Sequence, residues 1–297
     1  MEVRAKKSLG QHFLVDQNVA RLIVEALGVP SATEADGVRT PGRSFLSEPT
    51  RGGSEAGVAA TSALKVLEIG PGMGVLTQYL LQREDIDLKL VELDGESVDY
   101  LLTHFNGMQG RLFQADYLKL DIHRLFPGQY SIIGNFPYNI SSQIFFKILE
   151  DRDRVPEVVC MVQKEVAERI AEGPGSKTYG ILSVLLQAWY DIEYLFTVEP
   201  GAFAPPPKVR SAVIRLRRNS RTDLGVDDKA FKNVVKTAFN QRRKMLRGAL
   251  KPLVNAKAAR EGWSSEQLSE FIARDVFTLR AEALSVEDFI ELTRELR

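Results

Sequence analysis

The sequence predicts an α/β chain: a doubly wound sheet with helices on both faces, followed by a small all-helical C-terminal domain. Three observations predict it. From Leu64 onward, short apolar runs of strand length alternate with amphipathic stretches at helical spacing. A glycine turn, Gly70-Pro71-Gly72-Met73-Gly74, joins the first of these runs to the stretch that follows. Beyond residue 219 only helical periods appear.

In order along the chain, Val19, Leu22, Ile23 and Leu27 share one face of a helix over 17–27. Residues 30–63 carry no apolar period, and Gly, Pro, Ser and Thr fill 17 of the 34 positions, so this stretch reads as a mobile loop or insertion. Strands follow at 64–69, 88–93, 111–115, 131–134 and 157–162, with helices at 74–82, 96–105 and 141–149 between them. That alternation is the mark of βαβ units around a parallel sheet. A helix over 181–190 leads to two further strands at 193–199 and 211–217. Helices at 228–239, 241–250, 264–272 and 285–296 complete the chain, which divides at about residue 218 into domains 1–218 and 219–297.

Composition narrows the function. The 297 residues hold 39 Lys and Arg against 39 Asp and Glu, which excludes a polyanionic or polycationic tail protein. The single cysteine, Cys160, excludes an intrachain disulfide, and His12, His104 and His123 show no metal-ligand spacing, so no metal is expected. The N-terminus lacks the apolar run of a signal peptide and no apolar run is long enough to span a bilayer, which predicts a cytoplasmic protein without a membrane partner. Charge is nevertheless uneven. Residues 205–260 hold 16 Lys and Arg against 3 Asp and Glu, the footprint expected for a phosphate-rich partner.

Chemistry concentrates at the ends of the expected strands. The glycines after Ile69 let the backbone turn tightly and approach a nucleotide-like ligand with no Cβ in the way. Glu92 ends the next strand, 22 residues beyond Gly70, where a carboxylate accepts from both hydroxyls of a ribose. Dinucleotides and S-adenosylmethionine share this Rossmann-like geometry. Asp116, after the third strand, suits the adenine amino group of S-adenosylmethionine, and Asn135-Phe136-Pro137-Tyr138 after the fourth also favours that cofactor. An exocyclic amine is a poor nucleophile because its lone pair is delocalised into the ring. Methylating it calls for acceptors that hold its hydrogens: here the Asn135 side-chain oxygen and the Phe136 carbonyl, the latter aimed by the rigid Pro137. Tyr138 offers a face on which a base stacks, a contact worth roughly 1 to 3 kcal/mol.

With those motifs in place the chain resembles the ribosomal RNA adenine dimethyltransferase family, in particular its bacterial small-subunit branch. The resemblance spans nearly the whole chain: Lys7 to Leu14, the glycine turn, Asn135 to Ser141, Pro174 to Gly180, Phe203-Ala204-Pro205-Pro206-Pro207-Lys208-Val209, Phe239 to Arg247 and Arg280 to Ser285. It implies a class I methyltransferase sheet and transfer of methyl groups from S-adenosylmethionine to the N6 amines of two adjacent adenosines near the 3′ end of 16S rRNA. The implied partner is that RNA within the immature small ribosomal subunit. It further implies that His12 and Leu14 close over the cofactor, that Gly70 and Gly72 lie beneath it, and that Glu92 binds its ribose and Asp116 its adenine. Asn135 serves both cofactor and target amine, and Phe203 provides a second aromatic face opposite Tyr138. Arg242, Arg243 and Lys244 then read RNA phosphates at a helix start, with Lys208, Arg210, Arg215, Arg217 and Arg218 extending the track. Two positions depart from the family's habit: His12 stands where Asn is common and Phe136 where Leu is common. The stretch 30–63 has no counterpart in a typical member. A monomer is the default expectation, since no exposed heptad pattern is evident.

Overall fold

Residue 6, residues 9–28 and residues 63–297 are described by the computed structural model, so the expected insertion at 30–63 lies, but for Ala63, outside the described residues. Among the described residues the first strand is the short β1 (Phe13–Leu14), followed by helix α1 (Gln17–Glu25). Asp16 starts that helix by accepting from the amides of Asn18 and Val19 at 2.9 and 3.1 Å. There follow β2 (Leu64–Ile69), α2 (Thr77–Leu80), β3 (Ile86–Glu92), α3 (Gly95–His104), β4 (Leu112–Gln114), β5 (Ser131–Asn135) and α4 (Ser141–Glu150). Next come β6 (Glu157–Gln163), α5 (Lys164–Ala171), α6 (Ile181–Gln187), β7 (Tyr190–Val198), β8 (Phe203–Ala204) and β9 (Ser211–Arg218). The remainder is helical: α7 (Asp228–Asn240), α8 (Leu246–Ala249), α9 (Lys251–Glu261), α10 (Ser265–Ala273) and α11 (Val286–Leu296), with short 3₁₀ turns between.

The main sheet has seven strands in the order β4-β3-β2-β5-β6-β9-β7. The first five are mutually parallel, as the βαβ pattern requires. β9 runs antiparallel to both its neighbours, so the sheet is mixed rather than wholly parallel. The reason lies in the connections. The β6–β7 link crosses over through α5 and α6 and leaves a one-strand gap, and β9 returns into that gap without a crossover helix.

Period-two alternation sorts the strand residues onto two faces. Leu67, Ile69, Ile132, Val158 and Cys160 point into the core beneath α4, α6 and the C-terminal helices. Val66, Ile133, Val159 and Met161 point into the other, beneath α1 and the β1–β8 pair. Phe231, Phe277 and Phe289 of the C-terminal region belong to the first core, so the helical part is welded to the sheet domain rather than tethered to it.

The helix expected over 74–82 shortens to α2 (Thr77–Leu80), with turns on either side, and two further helices differ from expectation. Residues 241–244 form a turn, and the helix expected over 241–250 is replaced by α8 and α9, because Met245 bridges to Arg280 in extended conformation and the Leu246 amide donates to Leu279 at 2.8 Å. α5, which the sequence reading left unassigned, is short and strongly charged, and buries only Ala167 and Ile170. The chain leaves β2 to one side for β3 and β4, then resumes on the other side at β5, so the switch point falls between β2 and β5. Ligands of open α/β sheets bind in the crevice this creates at the carboxyl ends of the strands. Gly134 keeps the crevice narrow: a Cβ there would stand 2.5 Å from the Ile69 carbonyl oxygen.

Candidate functional site

The crevice opens into a cavity of about 950 Å³, counting the space at its mouth. Its floor is the turn after β2, where Gly70 and Gly72 hold φ of +66° and +55°. Side chains rarely adopt that region, and a Cβ on Gly72 would also press on the Phe13 ring at 3.0 Å. Glu92, at the end of β3, is 6% exposed. Its Oε2 accepts from the Gly72 amide at 3.0 Å and its Oε1 from the Asp94 amide at 2.8 Å. Burial pushes the Glu92 carboxyl up, against the pull of those backbone donors. Each carboxylate oxygen keeps a further lone pair, so a vicinal diol can be held without disturbing the turn.

Asp116 lies on the cavity wall, its Oδ1 accepting from the Leu118 amide at 2.9 Å. Asn135 ends β5, and its Nδ2 donates to the His12 carbonyl at 3.0 Å. That bond settles the orientation of the amide. Its Oδ1 is buried and has no hydrogen-bond partner among the described residues. A buried acceptor left bare costs about 1 to 3 kcal/mol, so the position is built for a donor that arrives with a ligand. Tyr138 is half-buried, bonded through its hydroxyl to Ser211 and stacked on the His12 ring at 5.3 Å between centroids.

Beneath the floor, Glu68 of β2 is 1% exposed and accepts from the Thr77 hydroxyl at 2.7 Å. Burial raises its carboxyl to about 8, the Thr77 bond opposes this and the neighbouring Glu92 charge adds to it. The folded chain therefore keeps a proton that the unfolded chain gives up above about pH 4.5. Stability attributable to Glu68 is thus present at low pH and lost as pH rises toward about 8. Glu68→Gln keeps the acceptor for Thr77 and cannot ionise. Denaturant unfolding at pH 5.5 and 8 is expected to show the variant gaining at least about 1 kcal/mol on the wild type between the two, and equal slopes would refute the assignment.

His12, Gly70, Gly72, Glu92, Asp116, Asn135, Pro137 and Tyr138 therefore converge on one cavity. Leu14 and Phe203 do not line it. They pair across β1 and β8, are each 3% exposed, and pack in the core on the α1 side of the sheet. The buried Phe203 ring is thus not the surface opposite Tyr138, and the ring found there is His12. The β1–β8 pairing itself was missed: it joins residues some 190 apart, and two-residue strands leave no period to read.

The basic block divides in two. Arg215 is 9% exposed and bound to Glu193, Arg217 donates to Glu157 at 3.1 Å, and Arg218 donates to the Trp189 carbonyl at 2.7 Å with Asp153 at 3.5 Å. These three hold the edge of the sheet together and do not extend an RNA track, because cations already neutralised and enclosed have no charge to offer a phosphate. Arg242 is also engaged, donating to the Ser176 carbonyl at 3.2 Å with its Nε 3.7 Å from Glu282. Lys208, Arg243 and Lys244 are exposed and have no carboxylate partner among the described residues. So too are Lys229 and Lys236, at a spacing that puts them with the half-buried Lys232 on one face of α7. Lys232 and Lys236 lie 5.4 and 5.6 Å from the Phe146 ring centre. That i, i+3, i+7 lysine stripe was readable in the sequence and was passed over.

A glycine floor, the buried Glu92 carboxylate, the Asp116 carboxylate on the wall and an Asn-x-Pro-Tyr turn with a bare acceptor fit S-adenosylmethionine and an amine beside it. Fold and site define an S-adenosylmethionine-dependent methyltransferase. A family model for ribosomal RNA adenine dimethylase matches residues 2–270. Proteins named ribosomal RNA small subunit methyltransferase A are similar over almost their whole lengths. The one from Parabacteroides distasonis is 52% identical, over 98% of this chain and 93% of its own. The one from Cytophaga hutchinsonii is 48% identical, over 99% and 98%. The chain belongs to the ribosomal RNA adenine dimethylase family. Among solved structures, a dimethyladenosine transferase from Plasmodium falciparum shares the fold with a TM-score of 0.64 at 24% identity, over 79% of this chain and 90% of that one. The 23S rRNA methyltransferase ErmE does so with a TM-score of 0.61 at 21% identity, over 96% and 99%.

Proposed function

We propose that this chain dimethylates the N6 amines of two adjacent adenosines near the 3′ end of 16S rRNA, acting as a cytoplasmic monomer on the immature small subunit. The observation that carries this reading is the bare Asn135 Oδ1, fixed by His12 and set beside Tyr138 at the wall of a glycine-floored cavity. The relatives' names favour the small subunit over the large. Among the described residues no helix is long and apolar enough to cross a membrane.

When bound, S-adenosylmethionine supplies a methyl group activated by its sulfonium. Glu92 and Asp116 hold the cofactor's ribose and adenine ends, and Gly70 leaves room for its methionine portion. Asn135 Oδ1 accepts one hydrogen of the target amine, and the Phe136 carbonyl accepts the other. The Phe136 amide donates to the Met161 carbonyl at 3.0 Å and the rigid Pro137 follows, so the residue that carries this acceptor is anchored on both sides and has little to reorganise. No strong base is required before attack, since the amine's proton can leave once the new bond has formed. Positioning does most of the work. After one transfer the amine keeps one hydrogen, and a single acceptor suffices for the second.

The decisive experiment incubates the purified chain with radiolabelled S-adenosylmethionine and unmethylated small subunits, then identifies the modified nucleoside. Dimethyladenosine at two adjacent positions is expected. Label confined to large-subunit RNA or to DNA would reject the reading.

RNA reaches the cavity, on this reading, across Lys208, Arg243, Lys244 and the α7 lysine stripe. Replacing Arg243 and Lys244 together by Ala should weaken binding and reduce the slope of log affinity against log salt by about 1.5, from two lost phosphate contacts. Arg217→Ala should leave the slope unchanged, because Glu157 already holds that cation. Equal slopes for the double variant and the wild type would exclude this track.

A further inference from the structure

We propose that in the free protein the imidazole of His12 occupies the seat of the target adenine on Tyr138, and that the incoming base displaces it. The inference rests on the adenine-methylating reading above. The two rings lie 5.3 Å apart between centroids and 30° from parallel, in direct contact, so no third ring fits between them. Both residues line the cavity, beside the bare Asn135 acceptor where the amine must arrive. A base that stacks on this face of Tyr138 takes the place the imidazole holds.

The tethers show which ring moves. Tyr138 follows the rigid Pro137, and its hydroxyl is bonded to Ser211, a fully buried residue of β9. Among the described residues the His12 ring has one hydrogen-bond tether: its Nδ1 donates to the Pro205 carbonyl at 3.0 Å, on an exposed segment. The main chain of His12 has a separate task. Its carbonyl accepts from Asn135, and the next two residues pair with β8. The side chain can therefore swing out while the backbone keeps the Asn135 amide oriented. The exchange gives up one hydrogen bond and a small aromatic contact for the larger one that a purine makes. His12 acts here as a positioning residue, closing the base seat and setting a threshold that a correctly presented adenine overcomes.

The test measures the affinity of the full chain for two short synthetic RNAs. One carries the paired adenosines, and in the other an abasic site replaces the adenosine that enters the cavity. Wild type, His12→Ala and His12→Asn are compared. Both variants should bind the adenosine RNA about two- to tenfold more tightly than wild type, the equilibrium equivalent of one aromatic stack. The abasic RNA, with no ring to seat, should bind all three alike. Weaker or equal binding of the adenosine RNA by the variants overturns the inference, as does an equal shift on the abasic RNA, which would mark a merely structural effect. Wild-type methylation of small subunits, scored in parallel, reports on the reading beneath. Its absence overturns both, whereas its presence with unchanged affinities overturns this inference alone.

Discussion

Asn135→Ala is expected to lower kcat by about 10²- to 10³-fold, the usual loss when one preorganised polar contact to a reacting group is removed. The affinity for RNA should change by less than about threefold, because phosphate contacts elsewhere supply most of it. The argument turns on a single oxygen. Asn135 Nδ2 is committed to the His12 carbonyl, so Oδ1 is the atom offered to the cavity, and it is buried without a partner. Alanine removes both atoms and leaves the His12 carbonyl without its donor. Asn135→Asp keeps an oxygen at the site but sets a carboxylate against that carbonyl, two acceptors facing each other. Its kcat should fall nearly as far as that of the alanine variant. Single-turnover methylation with saturating cofactor measures the chemical step directly. A wild-type rate in either variant would remove Asn135 from the mechanism.

What could be read from the sequence follows from how locally each feature is encoded. Glu92 and Asn135 end strands, and the glycine turn and Asp116 follow within two residues of strand ends; parallel strands deliver their ends to one edge, so alternation of strand and helix was enough to gather them. Features resting on pairings between distant segments were not legible. His12 reaches Tyr138 and Asn135 only because β1 pairs with β8, and the same pairing turns Phe203 inward. The basic block failed differently. Counting charges cannot tell Arg217, held by Glu157, from Lys244, held by nothing among the described residues, because the acids that neutralise the sheet-edge arginines come from β6, β7 and the turn before β6. Lys6 shows the same limit: its partners Asp94 and Glu96 stand almost 90 residues away, and together they pin the N-terminal segment beside the cavity.

Glu92→Gln should weaken binding of S-adenosylmethionine and S-adenosylhomocysteine by about a hundredfold, although it is the most conservative exchange by shape. Both carboxylate oxygens already accept a backbone amide, Oε2 from Gly72 and Oε1 from Asp94. A glutamine has one oxygen and one NH₂, so whichever way it is turned, its NH₂ faces a backbone N–H. The choice lies between losing the bond that shapes the Gly72 turn and losing the one that starts α3 beside Asp94. Either way one ribose hydroxyl loses its acceptor, and bonds to a charged group are worth about 1.5 to 3 kcal/mol each. One such loss, toward the upper end of that range, accounts for the hundredfold figure, since tenfold corresponds to about 1.4 kcal/mol. Glu92→Asp keeps the charge but withdraws it by one methylene, and should fall between wild type and Gln. Calorimetric titration with S-adenosylhomocysteine measures the affinity, and a melting curve shows that the fold survives. A Gln variant that melts like wild type and binds within about threefold of it would show that the ribose is held elsewhere. If the loss appears only with the cofactor and not with RNA, the buried carboxylate belongs to the cofactor half of the cavity and Asn135 remains the hinge between the two halves.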